Sequence, residues 1–421
     1  MVDQRRFDDQ RSTLDARAEA ALLGVDRRTL YAYVARGLVR SFPSAQGPGT
    51  HGRKRQYARE DLERLRARTK ARAGHGAVAA DALRFGEPVL DSAITAVDPS
   101  GIRYRGHPLA ELVERRIGYE AAAELLWTAA LPATPPRWRA GTVAWARLRA
   151  LVRPTTSPIV RMALVVDARA AADPDAGTDE GSAALDRARS LVPLLARALA
   201  PGLAHASLSA AEKQDTIAGA CARGLGCRAG EEGRRAIELA LVLCADHELN
   251  ASAFAARIAA STGSDLHACL AAALAVMTGP RHGASALRVE ALLDEIGTPA
   301  RADAVVRARL QRGDTIPGFG QPLYRDGDPR APPLFAAAQA IAPRSPRVKA
   351  IAALVAAMAA AGRERPNLDL GLAAIAAALE LPRGSATGLF ALGRSAGWIA
   401  HALEQRGSAF VLRPRARYVG P

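Results

Sequence analysis

The chain has 421 residues, of which 49% are hydrophobic and 5% aromatic, and carries a formal charge of +15. That length suffices for two or three domains with a large core, and its abundance of Ala, Leu and Arg, which lose little entropy in a helix, points to a mainly α class. No apolar run is long enough to span a bilayer, the first nine residues (Met-Val-Asp-Gln-Arg-Arg-Phe-Asp-Asp) lack the apolar stretch of a secretory signal, and Cys221, Cys227, Cys244 and Cys269 follow neither metal spacing nor a disulfide framework, so a cytoplasmic protein with buried free thiols is expected.

Charge is concentrated at the start. Residues 1–76 hold 17 Lys/Arg against 9 Asp/Glu, a block that asks for an anionic partner. Within it, residues 14–23 read as a short amphipathic helix, Gly24-Val25 as a turn, and residues 27–36 as a second, basic helix capped by Asp26 and closed by Gly37. Residues 38–41 and 53–57 flank a Gly/Pro-rich loop as the two strands of a wing, and residues 59–71 form a charged helix with Leu62 and Leu65 inward. Over residues 12–72 this pattern resembles the winged helix-turn-helix of MerR-type and excisionase-like DNA-binding proteins. The resemblance implies duplex DNA as partner, with Arg27, Arg28, Thr29 and Tyr31 at the major groove and Arg53, Lys54 and Arg55 on the backbone. The competing reading is a basic helical pair that docks another protein.

After a flexible stretch at residues 73–78, residues 89–97 and 102–105 read as two strands around the turn Asp98-Pro-Ser-Gly101, with helices opening at Gly106 and spanning 119–131. Domains are accordingly expected at 1–75 and 76–421. Helices punctuated by Gly and Pro follow, with an acidic loop near residues 173–180 and no repeat of 20 to 50 residues.

Polar islands interrupt this alanine-rich background: Ala-Asp-His247-Glu-Leu-Asn-Ala-Ser, Gly-Pro-Arg-His282-Gly, Pro-Gly-Phe-Gly-Gln321-Pro-Leu-Tyr-Arg325-Asp-Gly-Asp-Pro-Arg330, Arg-Pro-Asn-Leu-Asp369, Leu-Gly-Arg394-Ser and Arg413-Pro-Arg-Ala-Arg-Tyr. Each has an ordinary reading. His247 lacks the second histidine of a zinc helix, since that position is Ala251, so no metal is expected. Asp369 reads by default as an N-cap, Arg325 and Arg330 as a solvated turn, and Arg413 as part of a basic tail. The glycines flanking His282 favour close approach of a ligand, and a histidine near a helix N-terminus tends to stay neutral.

Together these motifs resemble the citrate synthase family, over roughly residues 88–421. The resemblance implies a helical body of a large and a small domain, the small one inserted at about 283–378, with the site in the cleft between them. It also implies acetyl-CoA and oxaloacetate as substrates, no cofactor, and a homodimer. By resemblance Asp369 is the base that enolises acetyl-CoA, His282 the neutral enol donor, His247 a contact to the oxo-acid, and Arg330, Arg394 and Arg413 the carboxylate clamps, Arg413 reaching the partner's site. Arg325 would face the CoA phosphates. Gln321 departs from the pattern, standing where a histidine that protonates the ketone oxygen is expected. An amide donates a hydrogen bond but gives up no proton at neutral pH. Three readings stay open: a condensing enzyme in which Gln321 polarises the ketone, a synthase for another acyl-CoA such as 2-methylcitrate synthase, and a metabolite-sensing DNA-binding regulator. The enzyme is preferred, because base, enol donor and three arginines all remain.

Overall fold

The computed structural model describes residues 13–15, 27–36, 39–43, 55–58, 90–98, 101–177, 181–324, 327–408, 410–414, 418 and 420. Two compact units divide the chain, Met1–Asp91 with Arg415–Pro421, and Ser92–Pro414.

In the first unit, β1 (Thr13–Asp15), α1 (Arg27–Ala35), β2 (Ser41–Pro43) and β3 (Arg55–Ala58) form one helix and an antiparallel sheet of order β1-β3-β2. Ser41 faces Tyr57 across the β2–β3 ladder, which is the wing expected from the sequence, shifted so that it runs to Pro43 and Ala58. The start differs from expectation: Leu14 and Asp15 do not open a helix but pair with Tyr57 and Gln56 on the other edge of β3. A two-stranded ribbon is marginal in water, and a third strand satisfies the amides along that edge. On α1, Leu30 is fully buried and Val39 beyond it nearly so, while Arg28 is exposed, Thr29 half-buried and Tyr31 53% exposed. The rest of the expected first helix, Leu38, Arg53, Lys54, the side chains of Arg27 and Arg55, and the helix at 59–71 lie outside the described residues.

The second unit begins with a small antiparallel sheet of β4 (Thr95–Asp98), β5 (Gly101–Tyr104) and β6 (His107–Pro108). The expected strand from Val89 is therefore shorter, and the helix expected at Gly106 starts at Leu109, because His107 and Pro108 are still paired with β5. The helices α2 (Leu109–Glu114), α3 (Tyr119–Thr128), α4 (Trp145–Leu151), α5 (Pro158–Ala171), α6 (Ser182–Ala198), α7 (His205–Glu212), α8 (Ile217–Gly224) and α9 (Gly230–Cys244) follow. α3 stops three residues early: Ala129 turns left-handed (φ 60°) and its N–H closes on the Leu125 carbonyl, ahead of Pro132, which cannot continue a helix.

Beyond the turn at 245–250 come α10 (Ala251–Ser261), α11 (Leu266–Met277), α12 (Ser285–Ile296), α13 (Ala302–Gln311), α14 (Ala331–Ile341), α15 (Pro346–Ala360), α16 (Leu368–Ala378) and α17 (Ser385–Arg406). The apolar face of α12 packs on α13, α15 and α16, and α14 lies against α16. α17 is the spine of the unit: α3, α9, α10, α11 and α16 pack around it, and Trp398 at its middle is fully buried, a side chain whose truncation to alanine costs about 3–5 kcal/mol. No helix among the described residues is long and apolar enough to cross a membrane. All four cysteines are free, and Cys227 is half-buried rather than buried.

Candidate active site

The turn between α9 and α10 carries His247. It reverses sharply through Glu248, whose backbone is left-handed (φ 51°), and Asn250 then caps α10 by accepting from the Ala253 amide. α17 presses against this turn. Gly397 N donates to the Ala245 carbonyl at 2.8 Å, and a Cβ on Gly397 would collide with the Asp246 carboxylate, so only glycine admits the approach. One turn earlier on α17, Arg394 is 2% exposed; its Nε donates to the Cys244 carbonyl at 2.7 Å and its guanidinium lies 4.8 Å from the Phe390 ring centre.

The loop that carries Gln321 is tied to the start of α16. Gly320 N donates to Arg365 O and Asn367 N to Gly318 O, each at 2.9 Å, and Asn367 Nδ2 donates to Gly320 O at 3.1 Å. This pairing holds Gln321 and Asp369 on adjoining segments. Asn367, not Asp369, is the N-cap of α16, its Oδ1 accepting from Asp369 N at 3.1 Å. The Asp369 carboxylate is thereby released from capping. Gln321 Oε1 is buried with no hydrogen-bond partner among the described residues.

The same loop builds a buried ion pair. Asp328 and Arg330 are each 3% exposed, so Arg330 is not the solvated turn residue its context allowed. Arg330 Nε and Nη2 donate to the two Asp328 oxygens at 2.9 and 2.8 Å. Asp328 also accepts from Arg330 N at 3.1 Å and from Leu368 N, the first residue of α16, at 3.2 Å. Arg330 Nη1 has no partner among the described residues. A buried donor left over in this way is a demand for an anionic or carbonyl ligand.

His247 and His282 are both held neutral. His247 Nε2 lies 2.5 Å from Tyr324 Oη; burial, reinforced by the positive charges of Arg330 and Arg394, pushes its imidazole well below the ordinary value. His282 Nε2 lies 2.8 Å from Ser252 Oγ, and burial, with Arg394 adding to it, pushes this ring down to about 4. Ser252 also accepts from Trp398 Nε1 at 3.0 Å and sits 2.8 Å from Asn250 Oδ1. Ser252 Oγ donates its one hydrogen to Asn250 Oδ1; turning that hydrogen to His282 Nε2 instead leaves the ring's own proton on Nδ1, free to be donated as a hydrogen bond. Asp369 is the counterpart: burial raises its carboxyl above the ordinary range, against a hydrogen bond from Ser285 and the charge of Arg330. Ser285 N in turn donates to the His282 carbonyl at 3.0 Å, so Ser285 links the Asp369 carboxyl to the backbone of His282.

Thus His247, His282, Gln321, Arg330, Asp369 and Arg394 come together around one region of the second unit. Arg413 does not join them within the same chain. It is exposed, and its neighbour Leu412 donates to Ser261 Oγ at 3.0 Å. Ser261 ends the 11-residue helix α10, roughly 13 Å along the axis from Ser252 near its start. Arg325 lies outside the described residues. Four participants escaped sequence reasoning: Tyr324, Asp328, Ser252 and Asp246. All four stand inside the quoted motifs, but apart from Arg330 beside Asp328 their partners are distant in sequence and carry no local signal. Asp246 is fully buried 3.4 Å from His401 Nε2, whose Nδ1 accepts from Arg257 Nε at 2.9 Å. No group of three or more His, Cys, Asp or Glu among the described residues is arranged to hold a metal.

Comparison with known proteins assigns the family and the fold. The family profile described as citrate synthase, C-terminal domain, matches residues 84–415, and a helix-turn-helix domain profile matches residues 16–70. A 2-methylcitrate synthase of Mycobacterium tuberculosis is 30% identical over 365 residues, covering 80% of this chain and 89% of the relative. A protein of the same organism described as putative citrate synthase 2 is 40% identical over 193 residues, 44% of this chain and 51% of the relative, so that match spans about half of the relative's length. The crystal structure of citrate synthase from Thermotoga maritima superposes with a TM-score of 0.67 at 26% identity, covering 80% of this chain and 94% of that one. The chain therefore belongs to the citrate synthase family and carries a helix-turn-helix domain ahead of its citrate synthase body.

Proposed function

We propose that the second unit condenses acetyl-CoA with oxaloacetate to give citrate and free CoA. What carries this reading is the opposed tuning of two adjacent groups, a carboxyl at Asp369 raised by burial and an imidazole at His282 lowered to about 4. Such a pair suits removal of a weakly acidic proton with neutral hydrogen-bond stabilisation of the enol. In this reading Asp369 takes a methyl proton from acetyl-CoA while His282 donates to the thioester oxygen. The enol carbon then attacks the ketone carbon of oxaloacetate. Gln321 donates its amide hydrogen bond to the ketone oxygen, and water supplies the proton to the alkoxide. Water then cleaves the thioester. Arg330, through Nη1, and Arg394 hold the carboxylates with Arg413 from a second copy, and His247 contacts the oxo-acid. Arg325 faces the CoA phosphates. Closure of a small domain at about 283–378 would exclude water during enolisation. The first unit binds duplex DNA through Arg28, Thr29 and Tyr31 on α1 with Arg27, and through Arg53, Lys54 and Arg55 on the wing.

The match over most of its length to a 2-methylcitrate synthase favours a second reading, with propionyl-CoA as acyl donor. Release of CoA thiol from acetyl-CoA and from propionyl-CoA, with and without oxaloacetate, separates the two. Asp369→Asn is expected to lower kcat at least about a hundredfold, the lower range for loss of a positioned base. Unchanged turnover in that variant removes Asp369 from the role, and saturable oxaloacetate binding without any thiol release makes the body a sensor.

A further inference from the structure

A second cleft, of about 350 Å³, opens where α5 and α17 begin, lined by residues 154–158 and 161 on one side and Leu287 and residues 382–385 and 387 on the other. None of the residues assigned to condensation lines it. We propose that this cleft binds a small organic phosphate, with the phosphate at the helix starts and the organic body against the proline and leucine wall.

Four observations converge on that ligand class. First, α5 and α17, of 14 and 22 residues, both present N-terminal ends here, each with partial positive charge; Ser157 Oγ caps α5 by accepting from Ile159 N at 3.3 Å and Pro158 has no N–H, so the amides on offer are chiefly those of α17. The start of α17 has no side-chain cap: Gly384 is its N-cap residue. Second, Arg161 in the wall is 3% exposed and is paired with no carboxylate among the described residues. Its Nε and Nη2 donate only to the Ala198 and Leu199 carbonyls, at 2.8 and 2.7 Å, and Nη1 to Thr156 O. Burial alone pushes its guanidinium down to about 10, the mark of a cation whose charge nothing nearby offsets. Third, Thr387 in the first turn of α17 is 1% exposed, and its Oγ1 has no partner among the described residues. Fourth, the acid beside the start of α17 is already engaged: both oxygens of Glu290 accept from Gly384 N, at 3.1 and 3.0 Å, and Arg383 bonds Asp294 at 2.7 Å. Leu199, Leu225, Leu287 and four prolines complete the lining, which is more apolar surface than inorganic phosphate can use.

The position suggests a consequence. Leu287 lies just inside the proposed small domain, while Pro154–Arg161 and Pro382–Ser385 belong to the large one, beside its two crossings. An occupant touches both sides and biases closure by its differential affinity for the two states. This coupling, unlike the binding itself, rests on the condensing-enzyme reading.

Phenyl phosphate is the probe. Titration calorimetry and thermal melting of the full chain are expected to show saturable binding and a raised melting temperature, with benzoate weaker and benzyl alcohol silent. Thr155→Trp, at an exposed position of the mouth, should abolish the heat that belongs to this cleft. Thr387→Val removes only a hydroxyl that has no partner among the described residues, so it should not lower the melting temperature of the unliganded protein and should weaken binding at least about tenfold, the worth of one hydrogen bond to a charged group. Binding of phenyl phosphate that both variants retain in full would assign the anion to another basic surface and overturn the proposal. So would the absence of binding up to about 10 mM, the range of marginal affinities, or equal binding of benzyl alcohol. None of these readouts needs turnover, so an inactive protein leaves the test intact. In an active one, phenyl phosphate should alter the KM for oxaloacetate in the parent and not in Thr155→Trp.

Discussion

Asp328→Asn tests whether the clamp around Arg330 is built as described. The carboxylate accepts four hydrogen bonds: three from Arg330 (Nε, Nη2 and N) and one from Leu368 N. Burial works against the Arg330 charge, yet Asp328 outweighs it and holds the guanidinium above its ordinary value. An asparagine keeps one acceptor oxygen, so two of the four bonds are lost and its NH2 meets, donor against donor, both Arg330 Nη2 and Leu368 N in one orientation or both Arg330 Nε and N in the other. The remaining guanidinium is a buried cation without a counter-charge. Breaking such a pair from one side costs about 3–5 kcal/mol. All four tryptophans, Trp127, Trp138, Trp145 and Trp398, belong to the second unit, so denaturant unfolding followed by tryptophan fluorescence reports that unit alone. The midpoint should fall with little change in slope. Because Leu368 starts the helix that bears Asp369, the affinity for oxaloacetate should weaken as well, by at least about tenfold. A stability loss below about 1 kcal/mol, the range of an exposed pair, would refute the picture of a buried, four-bonded carboxylate.

Two further outcomes follow from charge. The base works only when deprotonated and burial raises the Asp369 carboxyl, so kcat/KM should climb with pH along a limb above the ordinary carboxylate range; His282, at about 4, stays neutral across that window and adds no limb near its ordinary value of 6.5. A pH–rate profile whose limb sits near 3.9, the free carboxyl value, contradicts the assignment. For stability the signs are opposite. The lowered His282 makes a contribution that is present above 6.5 and lost as pH falls towards 4, whereas the penalty on the buried Asp369 carboxylate is relieved as it protonates. Deleting residues 1–75 should abolish binding to duplex DNA, which in the full chain weakens steeply with salt, and leave thiol release in place; a truncated chain that still retards DNA would move the contact to the second unit.

The motifs made the candidate site legible because each puts its chemistry beside a local breaker: Gly279 and Gly283 around His282, Gly318 and Gly320 before Gln321, Pro366 and Asn367 before Asp369. Such punctuation marks where backbone leaves a helix, and that survives into the structure. What the sequence concealed is partnership. Asp328 lies two residues from Arg330, a spacing equally suited to a solvated turn, and only the packing that buries both decides for the clamp. The default reading of Asp369 as an N-cap is open in the sequence because both Asn367 and Asp369 precede an apolar run; the Asn367 bond to Asp369 N settles which one caps. Leu14 and Asp15 carry a helical pattern that lost to a strand edge on β3, an instance of tertiary pairing overriding local propensity.

In the proposed condensation Gln321 faces the ketone, and an amide there has a consequence beyond the missing proton. It offers a donor and an acceptor together. The ketone of oxaloacetate can use only the donor, which leaves the acceptor as unsatisfied as Oε1 is in the unliganded protein. The tertiary hydroxyl of the condensed product both accepts and donates, so it satisfies both ends. A buried unsatisfied acceptor costs about 1–3 kcal/mol, and Gln321 should therefore favour product over oxo-acid by roughly fivefold to a hundredfold relative to a histidine that only donates. Gln321→His should raise kcat, by no more than the roughly 10²–10⁴-fold of general acid catalysis, and at the same time weaken product inhibition by citrate. Gln321→Ala should lower turnover and weaken citrate more than oxaloacetate. Steady-state rates with citrate as inhibitor measure both quantities. If the ratio of citrate to oxaloacetate affinity were the same in all three proteins, the amide would not face the reacting oxygen, and the departure at this position would carry no chemical meaning.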